Sequence, residues 1–172
     1  MISKNITKAL SEQINAEIYS AYLYLAMSAR ADRIGFKGFA HWLYVQFQEE
    51  MEHGLHIHQH ILERGEEPAY AAIAAPQAEF DSLEAMFEKV LEHERYVTDR
   101  INHIATLAMQ EGDHATYHFI TWYVNEQVEE EASADDILQK LKHIKDNVAM
   151  ILALDTELNA RVFVNPFTNA NV

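Results

Sequence analysis

Apolar residues recur every three or four positions through most of the chain, and the breaks in that rhythm fall at glycine and proline. Ile6, Leu10, Ile14, Ala21, Leu25 and Ser28 mark one face of a first helix, predicted from about Ile6 to Arg33 and closed by the stretch DRIGFKG. A second is predicted from near Gly38 through Trp42, Leu43, Phe47, Ile57 and Ile61 to Gly65, a residue suited to the position after a C-cap, with Pro68 just beyond. A third runs from Asp81, where Asp81 and Glu84 have the spacing of a capping pair, through Leu83, Phe87, Val90, Leu91, Val97, Ile101, Ile104 and Ala108 to Gly112. Asp113 is placed to cap a fourth helix carrying Phe119, Ile120, Tyr123, Ile137, Leu138 and Leu141. The segment NVAMILALDTELNA adds a short fifth, at about 146–160, and leaves 161–172 as a tail. Strand signals are nearly absent.

The connections set the topology. The first two helices are joined by a short turn and should lie antiparallel. Between the second and third lies EEPAYAAIAAPQAEF, with two of the chain's three prolines and no sustained period. Such a link reaches roughly 50 Å when extended, enough to travel back along a helix of roughly 38 Å. The expected fold is therefore all-α: a four-helix bundle, about 5–143, with a long crossover between helices two and three and a short fifth helix, all in one domain of residues 1–172.

Tracing the inward seams exposes an anomaly. The first reads Leu10, Gln13 or Ile14, Glu17, Ala21, Tyr24, Ser28; the second reads Leu43, Gln46 or Phe47, Glu50, His53, Ile57, Ile61. The third reads Phe87, Val90 or Leu91, Glu94, Val97 or Thr98, Ile101, and the fourth Tyr123, Gln127, Glu130, Ala134, Ile137 or Leu138. Every helix thus carries one inward acid near its middle. Converging carboxylates would repel one another and cost several kcal/mol apiece to bury unless something positive lay between them. A pair of metal ions is the simplest remedy.

Composition narrows the metal. The chain has no cysteine, so the ligands must be oxygen and imidazole nitrogen, a set suited to Fe²⁺, Mn²⁺ or Zn²⁺. Its 27 acids against 13 Lys and Arg give a formal charge of −14, which favours cations and disfavours nucleic acid and anionic membranes. MISKNITKAL lacks the features of a signal peptide and no stretch has the apolar length of a membrane span, so a cytoplasmic location is expected. A lone Glu-x-x-His carries no weight: with 19 Glu and 10 His in 172 positions, about one is expected by chance. Two occur. Glu111/His114 straddles a predicted helix break; Glu50/His53 lies on the ligand seam, and its alignment with Glu17, Glu94 and Glu130 makes it informative.

With those residues in view the chain resembles the bacterial non-haem ferritins over almost its whole length, in NAEIYSAYLY around Glu17, QEEMEH around Glu50, LEHERYVTDRIN around Glu94 and WYVNEQVEEE around Gln127 and Glu130. The resemblance implies a di-iron ferroxidase centre in which Glu17 and His53 hold one iron, Glu94 and Glu130 the other, and Glu50 bridges. It implies a homo-oligomeric shell of twenty-four subunits that stores ferric mineral, with the fifth helix lining its four-fold axes, and Fe(II) with O₂ or H₂O₂ as substrates. Glu49, Glu126 and Glu129 match acids that form a third iron site. Where relatives with a symmetric centre carry a second Glu-x-x-His, this chain has Gln127-x-x-Glu130, which should hold the second iron more weakly.

Several residues remain. Tyr24, two turns after Glu17, is placed to hydrogen-bond a ligand carboxylate or to supply an electron. Glu52 and Glu131 are expected on a solvated face, and Trp122 in packing. His56, His58, His60, His93 and His103 are expected at the surface or behind the ligands, not on metal. The six methionines suit core packing, and no haem is expected. Two rival functions share parts of this pattern. A rubrerythrin-type di-iron peroxidase or oxygenase would commonly bring a cysteine-ligated iron module; a non-catalytic bundle would bring inward Lys or Arg partners for the acids.

Overall fold

The computed structural model describes residues 2–167. Five helices follow in order: α1 (Lys4–Arg33), α2 (Lys37–Glu63), α3 (Leu83–Glu111), α4 (His114–Ile144) and α5 (Val148–Leu158). Several boundaries have a local cause. Ser3 caps α1 by accepting from Ile6 N–H, and Asp113 caps α4 through Thr116 N–H. Gly65 and Gly112, at φ of 80° and 68°, take the left-handed conformation that ends α2 and α3. The cap of α3 departs from expectation: Ser82, not Asp81, accepts from Ala85 N–H. Asp81 and Ser82 are both good caps one residue apart, and the hydrophobic frame beginning at Leu83 selects the serine.

Side-chain contacts establish the directions. Along α1 and α3, Asn5 meets Glu111, Gln13 meets Arg100, Ser20 meets His93 and Tyr24 meets Glu94, so these helices are antiparallel. Along α2 and α4, Gln46 meets Glu130 and Arg64 meets Asp113, again antiparallel. With α1 and α2 joined by a short turn, α2 and α3 run parallel, as the long link requires. That link is fastened to the outside of α1: Ala69 N–H donates to Ser11 Oγ, Asn15 Nδ2 donates to the carbonyls of Ala71 and Ala72, and Arg30 Nη2 reaches Phe80 O.

Two apolar clusters divide the interior. One holds Leu23, Met27, Phe39, Leu43, Phe87 and Leu138; the other holds Ile6, Leu10, Ile57, Ile61, Ile101 and Ile120. Between them lies a polar layer at mid-bundle. The inward seams of the sequence are buried as expected, but Leu25, placed on the apolar face of the first helix, is 37 % exposed. Tyr24 takes the inward place, because the seam advances by three residues there and rotates Leu25 to the outside.

The fifth helix packs on the start of α2. No side chain within α2 caps its first turn; Asp155 of α5 does so from outside, its Oδ1 accepting from Gly38 N–H at 2.8 Å and Phe39 N–H at 3.0 Å. Beyond α5 the chain turns back along α2. His41 Nε2 hydrogen-bonds Arg161 O at 2.7 Å, and the Phe167 ring stacks on His56 at 3.7 Å. From residue 41 to 56 an α-helix rises about 22 Å, which six extended residues span, so 161–167 form a strap parallel to α2. The remainder of the tail, 168–172, lies outside the described residues.

Candidate metal centre

The polar layer gathers Glu17 from α1, Glu50 and His53 from α2, Glu94 from α3, and Gln127 and Glu130 from α4, each at most 5 % exposed. One ligand atom from each of Glu17, Glu50 and His53 lies within 4.8 Å of the others, which makes this trio a group able to hold a metal ion. Its orphaned atoms point to the same conclusion. Glu17 Oε2, Glu50 Oε2 and His53 Nε2 are buried and have no hydrogen-bond partner, an expensive condition unless a cation supplies the missing interactions. His53 Nδ1 lies 3.6 Å from Glu50 Oε2, the i to i+3 neighbour on α2.

Glu94 and Glu130 stand on the other side of the layer, tied to neutral donors. Glu94 accepts from the Tyr24 hydroxyl and from Gln127 Nε2, the latter at 3.2 Å, while Glu130 Oε2 accepts from Gln46 Nε2 at 2.8 Å. Gln127 acts here as a donor that orients Glu94. Glu17 is held in the same way: Gln13 Nε2 donates to Glu17 Oε1 at 2.8 Å, and Arg100 Nε donates to Gln13 Oε1 at 2.9 Å. Among the described residues no Lys or Arg comes within ion-pair distance of Glu17, Glu50, Glu94 or Glu130. The positive partner that a purely structural bundle would supply is therefore missing from the centre.

This electrostatic state follows from crowding acids in a dry layer. Burial, then the nearby Glu17 and Glu94, raises Glu50 well above the usual carboxylate range. Glu94 is pushed up to about 8 by burial and by Glu130, against the opposing hydrogen bonds of Tyr24 and Gln127. Burial lowers His53 and keeps it neutral, the form in which imidazole ligates. Tyr24 is raised by burial and by Glu94, so its phenol stays protonated and donates.

The three acids expected at a further site fall on one edge of α2 and α4 but differ in environment. Glu49 is half-buried and its Oε2 is paired with Arg161 Nη2 at 2.5 Å. Burial pushes it up to about 7 despite that guanidinium. Glu126, also pushed up to about 7 by burial and by Glu130 and Glu129, is half-buried; Glu129 is exposed.

Several residues outside the ligand set surround the site. His93, expected at the surface or behind the ligands, is 6 % exposed and takes the second of those places: its Nε2 is bonded to Ser20 Oγ at 2.7 Å and its ring stands edge-on to Tyr24. Met86, Val90, His93, Val97 and Ile101 share one face at helical spacing, a signal that was present in the sequence. His56 is half-buried, with Nδ1 3.1 Å from the Tyr123 hydroxyl, which in turn donates to His53 O. His60 stacks on Phe119 at 3.8 Å and His58 bonds the Tyr70 hydroxyl. Trp122 packs against the His53 ring. His103 is exposed, Glu52 half-buried, and Glu131 accepts from Thr98 Oγ1, which also takes a hydrogen bond from Gln127.

Comparison with known proteins agrees with this architecture. The family model for the ferritin-like domain matches residues 7–144. The chain is 36 % identical to the bacterial non-heme ferritin of Staphylococcus aureus (strain USA300) over 163 residues, covering 95 % of this chain and 98 % of that one. It is 39 % identical to the bacterial non-heme ferritin of Staphylococcus saprophyticus over the same shares. Among solved structures, the open pore ferritin of the hyperthermophilic archaeon Archaeoglobus fulgidus superposes with a TM-score of 0.93 at 51 % identity, covering 94 % of this chain and all of that one.

Proposed function

The chain belongs to the ferritin family, and from that premise we propose that it is an iron-storage protein whose buried layer oxidises Fe(II). The observation that carries this reading is the trio of orphaned ligand atoms, Glu17 Oε2, Glu50 Oε2 and His53 Nε2, at the meeting point of α1 and α2. One Fe(II) binds to Glu17 and His53, a second to Glu94 and Glu130, and Glu50 stands between α1, α3 and α4 acids in the position of a bridge. Each iron gives one electron to a two-electron oxidant, O₂ or H₂O₂, and the Fe(III) product leaves for the interior of a homo-oligomeric shell, proposed as a cytoplasmic particle of twenty-four subunits.

The protein's part in the chemistry is positional and electrostatic. Neutral Gln13 and Gln46 each fix one oxygen of Glu17 and Glu130, and Tyr24 and Gln127 hold the two oxygens of Glu94, all without cancelling the carboxylate charge. Because Glu50 and Glu94 hold protons in the metal-free layer, binding of iron displaces protons from them. Glu130 at the position of a second histidine leaves the second iron with an all-carboxylate set, suited to an ion that is oxidised and moved on. No helix among the described residues is long and apolar enough to cross a membrane.

Aerobic Fe(II) addition followed in the near ultraviolet, on a particle of known mass, tests the reading. Glu50→Ala should abolish the fast phase of oxidation and leave the particle mass unchanged. Unaltered fast oxidation in that variant would show that the chemistry occurs elsewhere.

A further inference from the structure

The strap of residues 161–167 runs along an open seam of the bundle. Among the described residues no Cα of α2 lies within 8 Å of one of α4, whereas α1 with α2, α3 with α4 and α1 with α3 all come that close. Side chains alone close this seam, and it borders the central layer. Phe167 fills it at the level of His53. The Phe167 ring stacks on His56 of α2 at 3.7 Å, stands 4.6 Å from the Trp122 ring of α4 and lies 6.2 Å from the ring of His53 itself. His53 is 2 % exposed although it sits at a gap between two helices, and the rings that surround it there are Trp122, Tyr123 and Phe167. Two of those rings belong to α4; the third arrives on the strap.

The two ends of the strap are held differently. At Arg161 the backbone carbonyl is bonded by His41, and the guanidinium is paired with Glu49 and lies over the Trp42 ring, 4.6 Å from its centroid. Beyond that anchor Val162 and Val164 are exposed, and among the described residues no backbone–backbone hydrogen bond joins Val162, Phe163 or Val164 to α2. Phe167 is held by ring packing, which can be broken and remade without unfolding a helix. The Arg161 end is therefore the natural hinge, and the Phe167 end the part that moves.

We propose that the strap is a hinged cover over this seam, anchored at Arg161 and closed by Phe167, and that lifting the Phe167 ring is the slow step when an ion passes between solvent and His53. The inference rests on the di-iron reading above and adds a rate to it. The carboxylates and His53 set how tightly an ion is held; the strap sets how quickly it comes and goes.

The test loads the particle with redox-inert Zn²⁺, follows its uptake and its release to a chromogenic chelator, and measures affinity separately by equilibrium dialysis. Phe167→Ala should speed uptake and release alike by about tenfold and leave the affinity within about twofold of the parent, since lowering a barrier changes both rates and not the equilibrium. Phe167→Tyr, which keeps the ring, should retain the parent rates, and Val164→Ala, on the outward side of the same strap, should change neither rate nor affinity. Particle mass and melting temperature verify that each variant is assembled and folded. Parent-like rates in Phe167→Ala would overturn the cover alone. So would a loss of affinity at an unchanged uptake rate, which would make Phe167 a support for the His53 ring. A parent particle that binds no Zn²⁺, or binds it equally well after Glu50→Ala, would overturn the di-iron reading and the cover together.

Discussion

Asp155 of α5 caps α2 at Gly38, and the two helices approach so closely that a side chain at residue 38 has no room. A Cβ built on Gly38 would lie 1.6 Å from the Asp155 carbonyl oxygen. Gly38 is thus a packing glycine, with φ outside the left-handed region. Gly38→Ala should dislodge α5 and with it the cap, lowering stability by about 2 kcal/mol or more, as overpacking does. Asp155→Ala, which removes only the two hydrogen bonds, should cost about 1 kcal/mol. Thermal unfolding of the two variants checks the order, and an alanine at 38 that melts like the parent would refute the close approach.

The central layer makes stability depend on pH in a way that bound metal should offset. Glu94 has a folded value of about 8 against 4.5 for the free side chain, and Glu50 is raised as well. The folded state therefore keeps protons that the unfolded chain releases. This contribution is full below about pH 4.5 and is lost as pH rises toward 8, at up to about 1.4 kcal/mol per pH unit for each group. Metal-free protein should melt at a lower temperature at pH 8 than at pH 6, and saturating Zn²⁺ should remove most of that difference. Calorimetry with and without chelator decides it; stability rising from pH 6 to 8 without metal would contradict the assigned burial.

Gln13 is not a ligand but carries Glu17. Replacing it by leucine cuts the path from Arg100 through Gln13 to Glu17. The expected result is roughly 10- to 100-fold weaker binding of the first Zn²⁺ with little loss of fold, the usual effect of removing a group that orients a ligand. Equal affinity in parent and Gln13→Leu would mean that Glu17 is positioned by packing alone.

His93 and His103 lie on one helix and separate burial from exposure. His93→Ala opens a void among Tyr19, Tyr24 and Tyr96 and removes one of the two hydrogen-bond partners of Ser20 Oγ, so it should cost about 2 kcal/mol or more. His103→Ala, on the exposed side, should stay within about 0.5 kcal/mol of the parent. Chemical denaturation of the two measures the contrast, and equal midpoints would place His93 outside the core.

Much of the site was visible in the sequence because its residues obey a local rule. Glu17, Glu50, His53, Glu94, Gln127 and Glu130 occupy seam positions that the 3.6-residue period turns inward, and the structure buries all of them. The same rule would have found His93 had its neighbours Val90 and Val97 been followed through it. It misplaced Leu25, because an apolar residue at the boundary of a face can fall on either side of it.

What the sequence determined by itself was therefore everything periodic: five helices, the long link that makes α2 and α3 parallel, and one acid per helix at mid-bundle. The tertiary structure alone decided the partners of those residues. Asp155 caps a helix 117 residues away in sequence, Arg161 meets Glu49 across 112, and Gln46 meets Glu130 across 84. No local pattern encodes such pairings, since a helix's periodicity specifies which face is buried and leaves open which face of another helix it meets, at what height and with what left unpaired. Those three facts depend on how the rods pack, and at this centre they set which carboxylate oxygens are held by neutral donors and which are left unpaired.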